Sequence, residues 1–129
     1  MNRLNGQATK QATTKQKGDA AEDRALQHLQ NQGLQLMQRN YRTPGRGGGE
    51  IDLIMRDVDA TVVFVEVRHR KSSDHGGALA SITFSKQRRI IFAARHYLMT
   101  LRQEPACRFD VVAVEPEGLH WYRAAFDAA

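Results

Sequence analysis

The sequence predicts a single α/β domain, one mixed β-sheet flanked by helices in the order αβββαββ. Three observations carry this. Two stretches place apolar residues at the 3.6-residue helical period, short runs rich in β-branched residues lie between and after them, and 129 residues suffice for one core but hardly two.

The first helix spans Lys17 to Gln32, where Ala21, Ala25, Leu26 and Leu29 recur on one face and Gly33 stands at the C-terminal cap position. Leu34-Gln35-Leu36-Met37 alternates as a short strand would. The stretch from Asn40 to Gly49, with Pro44 and four glycines, reads as a mobile loop. Ile51 to Met55 and Thr61 to Arg68 form two strands of a hairpin turned at Asp57-Val58-Asp59-Ala60. A second loop, Lys71 to Ala80, leads into an amphipathic helix in which Ile90, Ile91, Ala94, Tyr97, Leu98 and Leu101 share a face. Phe109 to Val114 reads as a buried strand and Leu119 to Arg123 as a short edge strand after Pro116 and Gly118. There is no internal repeat.

Before this domain, residues 1–16 are polar, rich in Thr, Gln and Lys, and lack the apolar segment of a signal peptide, so a flexible tail is expected there and the domain proper at 17–129. Nowhere do 18 apolar residues run together, which argues against a membrane partner. The lone cysteine, Cys107, excludes an intrachain disulfide framework and a Cys-rich zinc module, and fits a cytoplasmic protein. Nineteen Lys and Arg against 14 Asp and Glu leave a formal charge of +5, which permits a nucleic-acid partner.

The chemistry concentrates in the hairpin. Asp52 sits among Ile51, Leu53 and Ile54, and Glu66 follows the apolar run Val62-Val63-Phe64-Val65. A carboxylate in such surroundings needs a compensating cation or donor. The hairpin can set the two side by side, and the period of two puts Glu66 and Arg68 on one face with Val67 on the other. Either an internal salt bridge with Arg68 or a divalent cation would relieve their repulsion. Mg²⁺, with Mn²⁺ as its substitute, suits oxygen ligands and often takes only one or two protein carboxylates. Glu22 lies three, four and seven residues before Ala25, Leu26 and Leu29, so it projects from the inward face of the first helix, either toward this site or into an ion pair with an arginine. Glu50 lies just before the strand and faces the side of Asp52. Other chemistries find little support. Gly45-Arg46-Gly47-Gly48-Gly49 lacks the Gly-Lys-Ser/Thr ending of a P-loop and precedes a strand. His28, His69, His75, His96 and His120 show no metal-ligand spacing, and Ser72, Ser73 and Ser85 have no evident His/Asp pair.

The runs Gly49-Glu50-Ile51-Asp52-Leu53-Ile54 and Val63-Phe64-Val65-Glu66-Val67-Arg68 resemble the PD-(D/E)xK nuclease core and, more closely, the YraN family of uncharacterised proteins. Gly18, Glu22, Lys86-Gln87, Cys107-Arg108-Phe109-Asp110-Val111-Val112, Trp121 and Ala125-Phe126 fit that family's pattern in order, so the resemblance covers Lys17 to about Asp127. It implies a restriction-endonuclease-like fold, similar to Holliday-junction resolvases, with Glu22, Asp52 and Glu66 at the acidic, metal-holding positions. It further implies an endonuclease-like activity on structured or branched DNA, and the resolvase analogy suggests a homodimer. Arg68 stands where the superfamily usually has Lys; a guanidinium stabilises developing charge but cannot act as a general base. That departure leaves a second reading, a nucleic-acid-binding or assembly module without catalysis. Gln87 falls at the family's helix-start position, suited to contact phosphate or Glu66. Arg46, Arg70, Lys71, Lys86, Arg88 and Arg89 are the candidate phosphate contacts, which hold a backbone without reading sequence. Trp121 and Tyr122 read as edge-packing residues rather than base-stacking ones.

Overall fold

The computed structural model describes residues 13–71 and 77–128. Residues 1–12 of the expected tail, and Ser72, Ser73 and His75, lie outside them. The first helix, α1 (Thr14–Asn31), begins three residues before the predicted Lys17. The reason is a capping box: Thr13 Oγ1 accepts from the Gln16 amide at 3.1 Å while Gln16 Oε1 accepts from the Thr13 amide at 2.8 Å. At its other end Gly33, at φ +99°, lets the chain reverse. The Gly33 and Leu34 amides then bond back to the carbonyls of Gln30 and Leu29, both at 3.0 Å, in a Schellman motif.

Five strands follow: β1 (Gln35–Arg42), β2 (Glu50–Arg56), β3 (Val62–His69), β4 (Cys107–Glu115) and β5 (Gly118–Phe126). They lie in sequence order in one sheet, antiparallel except for the parallel pair β3–β4. A parallel neighbour needs a crossover, supplied here by α2 (Gly77–Ala80) and α3 (Phe84–Leu98). The fold class is thus the predicted mixed sheet flanked by helices. The short α2 falls inside the predicted second loop, because four residues carry no readable period.

On one face of the sheet, Ala21, Ala25 and Leu29 of α1 pack on Leu53, Met55, Val63, Val65, Val112 and Val114. On the other, Ile90, Ile91, Ala94 and Tyr97 of α3 pack on Ile54, Phe64 and Phe109. The middle strands are buried on both sides, which is why β3 and β4 read as continuous apolar runs rather than alternating ones.

The strand ahead of the glycine-rich loop is longer than predicted. It runs to Arg42, paired with Glu50, and absorbs a bulge at Met37 and a left-handed Asn40 at φ +54°. The loop that remains is not the free segment expected. Its base is closed by the Thr43 amide donating to the Gly49 carbonyl at 3.1 Å and the Gly49 amide donating to Thr43 Oγ1 at 2.8 Å. Gly49 is also pressed against α3, where an added Cβ would stand 2.0 Å from the Arg89 carbonyl oxygen. Only the tip, with exposed Arg46, projects into solvent.

Candidate functional site

Pairing between β2 and β3 runs from Arg56↔Val62 to Leu53↔Val65 and then stops. Past that point the Val67 amide has no partner on β2's backbone; instead Asp52 Oδ2 accepts from it at 2.8 Å. The local chemistry of the strand end therefore aims Asp52 into the gap where the hairpin opens, beside Glu66. This is the hairpin juxtaposition anticipated from the sequence.

The pairing shows in the Asp52 carboxyl. Burial, and after it the charge of Glu66, push the Asp52 carboxyl up to about 7; a hydrogen bond with Glu66 and the charge of Glu50 add to this, and the Val67 amide opposes it. Glu66 is 5% exposed. Two cations flank it on the same oxygen: Arg68 Nη1 at 3.5 Å and Lys86 Nζ at 3.6 Å from Oε2. Lys86, expected among the phosphate contacts, thus reaches the acidic pair from the first turn of α3. Arg68 is further committed, donating from Nη2 to the Ser81 carbonyl at 2.7 Å, and its Nε is buried without a hydrogen-bond partner among the described residues.

Glu22 is the third carboxylate. Burial first, and the Asp52 charge second, hold its carboxyl above the usual range, which places it in the field of the same site. It is nevertheless paired: Arg39 Nε lies 3.4 Å from its Oε1, and the same guanidinium holds Asp23 at 2.7 Å and the Asp19 carbonyl at 3.4 Å. Among the described residues no group of three or more His, Cys, Asp or Glu side chains is gathered closely enough to hold an ion. The preassembled unit is the Asp52–Glu66 pair, with Glu22 drawn off by Arg39. Glu50 is drawn off likewise, to Arg42 at 3.4 Å.

The remaining predicted residues divide. Gln87 does not reach Glu66; its Nε2 donates to the Ile82 carbonyl at 3.2 Å and closes the turn between α2 and α3. Arg70 Nη1 donates to the Gly77 carbonyl at 2.7 Å, tying the end of β3 to α2. Lys71, Arg88 and Arg89 are exposed. Trp121 packs in the α1-side core, as its edge-packing reading anticipates, with the Arg123 guanidinium 4.1 Å above its ring.

One buried acid escaped the reading of the sequence. Asp110 is wholly buried and accepts from Arg108 Nε at 3.0 Å, Trp121 Nε1 at 2.9 Å and the Ala124 amide at 2.9 Å. Arg108 in turn holds Asp57 of the hairpin turn at 2.9 Å. The network fastens the bulge in β4–β5 and the β2–β3 turn to each other. Its signal was present: a carboxylate inside the apolar run Phe109-Asp110-Val111-Val112 is the same anomaly that singles out Asp52.

The donor set at the hairpin opening suits a hard divalent cation. Two half-buried to buried carboxyls are forced together, and burial and the neighbouring Glu66 charge push the Asp52 carboxyl up to about 7. Mg²⁺ asks for no more protein oxygen than that.

Comparison with known proteins bears on the family rather than on the chemistry. The model of the uncharacterised protein family UPF0102 matches residues 21–114. A UPF0102 protein of Albidiferax ferrireducens is 68% identical over 120 residues, covering 93% of this chain and 94% of the relative. One from Paracidovorax citrulli is 62% identical, covering 95% and 91%. Among solved structures, the crystal structure of SSO0001 superposes with a TM-score of 0.45 at 14% identity, covering 91% of this chain and 55% of that one. No described helix is long and apolar enough to cross a membrane. With the family model covering most of the domain and relatives this similar along nearly their whole length, the chain belongs to the UPF0102, or YraN, family.

Proposed function

We propose that this protein is a divalent-metal-dependent, endonuclease-like phosphodiesterase acting on structured or branched DNA. The observation that carries the reading is the Asp52–Glu66 pair, two carboxyls held together at the opening of β2 from β3 with Lys86 and Arg68 beside them. Asp52 and Glu66 would hold Mg²⁺ or Mn²⁺, with Glu22 in the electrostatic field of the pair. When bound, such an ion polarises a phosphodiester and lowers the pKa of an attacking water. Lys86 supplies the mobile amine that Arg68 cannot, and Arg68, locked by Ser81 and Glu66, fixes the Glu66 carboxylate and neutralises charge near it. Arg46, Lys71, Arg88 and Arg89, all exposed, contact the phosphate backbone. The reading carries with it a cytoplasmic location and, by analogy with junction resolvases, a pair of copies on a branched substrate.

The test is cleavage of junction, flap and single-stranded DNA with Mg²⁺ or Mn²⁺ by the wild type and by Asp52→Ala and Glu66→Ala. Cleavage that the two variants perform as well as the wild type removes the assignment. A specific observation favours a second reading: Glu66 already has two cations on one oxygen, so protein side chains meet the charge of that member of the pair. A non-catalytic DNA-binding or assembly module would bind DNA undiminished in a chelator and show no divalent-ion binding by calorimetry.

A further inference from the structure

The outer face of α3 is unlike an ordinary solvated helix face. Phe84 is 71% exposed and Phe92 53% exposed. With Arg88 and Arg95 they stand at i, i+4, i+8 and i+11, on one stripe opposite the buried Ile90, Ala94 and Tyr97. The Arg88 guanidinium lies 5.8 Å from the centre of the Phe84 ring. Beside the stripe runs a groove formed by Arg88, Phe92, Arg95 and Gln87, with Gly47 of the glycine-rich loop on one wall and a lone carboxylate, Asp127, on the other.

Folding has no use for these rings. An exposed helix position is better served by Ala, Lys or Glu, which lose less side-chain freedom there, and a Phe more than half exposed forgoes much of its roughly 1.5–3 kcal/mol of transfer energy. The charges say what covers them. From Phe84 to Leu98 the helix carries Lys86, Arg88, Arg89 and Arg95 and not one Asp or Glu. A second copy laid symmetrically on this stripe would bring like charges face to face, which an isologous interface disfavours. Aromatic rings alternating with guanidinium groups instead match an unpaired nucleic-acid strand, whose bases stack on the rings and whose phosphates pair with the cations. The stripe begins at the end of α3 nearest the acidic pair: Lys86, in the same first turn as Phe84 but on its sheet-facing side, reaches Glu66.

We propose that the Phe84–Arg88–Phe92–Arg95 stripe is a stacking platform for unpaired bases, so that the strand led to Asp52 and Glu66 is single-stranded. The inference rests on the nuclease reading for its choice of ligand and specifies the substrate class of that site.

The experiment measures binding of labelled oligo(dT) and of a blunt duplex of equal length by fluorescence anisotropy, in chelator at low salt. It compares the wild type with F84A/F92A and Arg88→Gln. Because the two rings lie outside the core and are mostly exposed, F84A/F92A should melt close to the wild type, and circular dichroism checks this. The expected result is an affinity of F84A/F92A for oligo(dT) lower on the order of tenfold or more, with duplex affinity changed less than about twofold. Arg88→Gln should show a smaller loss and a shallower salt dependence. Since no metal is present, failure of the cleavage assay leaves these binding results standing, and the two readings fall separately. Equal losses on oligo(dT) and duplex, no loss in F84A/F92A, or no wild-type binding to oligo(dT) would each overturn the proposal. So would self-association of the wild type, seen by sedimentation, that F84A/F92A abolishes.

Discussion

Asp52→Asn should raise the melting temperature at pH 8 and leave it nearly unchanged near pH 4. The Asp52 carboxyl is displaced from an ordinary 3.8 to about 7 by burial and by Glu66. A folded-state pKa above the unfolded one means that the group's contribution is fully present below about pH 4 and is lost as pH rises through 7. At about 1.4 kcal/mol per pH unit the displacement sets an upper limit of about 4 kcal/mol. Water reaches the half-buried group, so roughly 1–2 kcal/mol of it should be realised, or ~3–7 °C for a domain of this size. The amide is a fair replacement, because its oxygen can still accept from the Val67 amide as Asp52 Oδ2 does at 2.8 Å. The assay is thermal unfolding of both proteins from pH 4 to 9 in chelator. The difference between the two curves cancels groups remote from the site and reports Asp52 together with its effect on Glu22, whose carboxyl the Asp52 charge helps hold up. A second pair of melts at pH 8 with Mn²⁺ should raise the wild type and not the variant, since ligand binding to the folded state alone is stabilising. A difference that stays flat with pH, or a variant less stable at pH 8, would refute the account of the site as two carboxyls crowded without sufficient positive charge.

Four further outcomes follow from the same geometry. Lys86→Met should lower kcat for DNA cleavage by roughly 10²-fold or more with little change in KM, because the amine sits at the acidic pair rather than on the phosphate path; single-turnover kinetics would show this. Gly49→Ala should cost about 2–3 kcal/mol in urea unfolding, since its Cβ would meet the Arg89 carbonyl oxygen at 2.0 Å, whereas Gly47→Ala, at φ +71° in open space, should cost only about 1 kcal/mol. Asp110→Ala should destabilise by about 3–5 kcal/mol, because it leaves Arg108 Nε, Trp121 Nε1 and the Ala124 amide without their partner in the interior. Ala60→Gly should stabilise by about 1 kcal/mol, read as a raised urea midpoint, because Ala60 closes the hairpin turn at φ +74°.

Much of the fold is legible in the residues. Ala21, Ala25 and Leu29 at helical spacing place α1, Gly33 ends it, and the Asp57–Ala60 turn between two β-branched runs makes β2 and β3 a hairpin. That hairpin already brings Asp52 and Glu66 together, because a local turn sets the register of the strands it joins. Errors fall where a weak local preference is overruled. β1 extends into the supposed loop because β2 offers it a ladder as far as Glu50, and the glycine-rich segment is tethered because α3 presses on Gly49.

The sequence by itself determined the layer order, the hairpin and the identity of the two central carboxyls, all consequences of patterns within a few tens of residues. Only the tertiary structure decided who accompanies them. Lys86 comes to Glu66 from a helix 20 residues downstream, Glu22 is taken up by Arg39, Gln87 turns to Ile82, and Arg108 joins Asp57 to Asp110. The physical reason is that a charged side chain leaves no trace in its own segment of which distant partner it will meet. That choice follows from how α1 and α3 dock on the two faces of the sheet, which bulk hydrophobic packing dictates and the ion pairs merely follow.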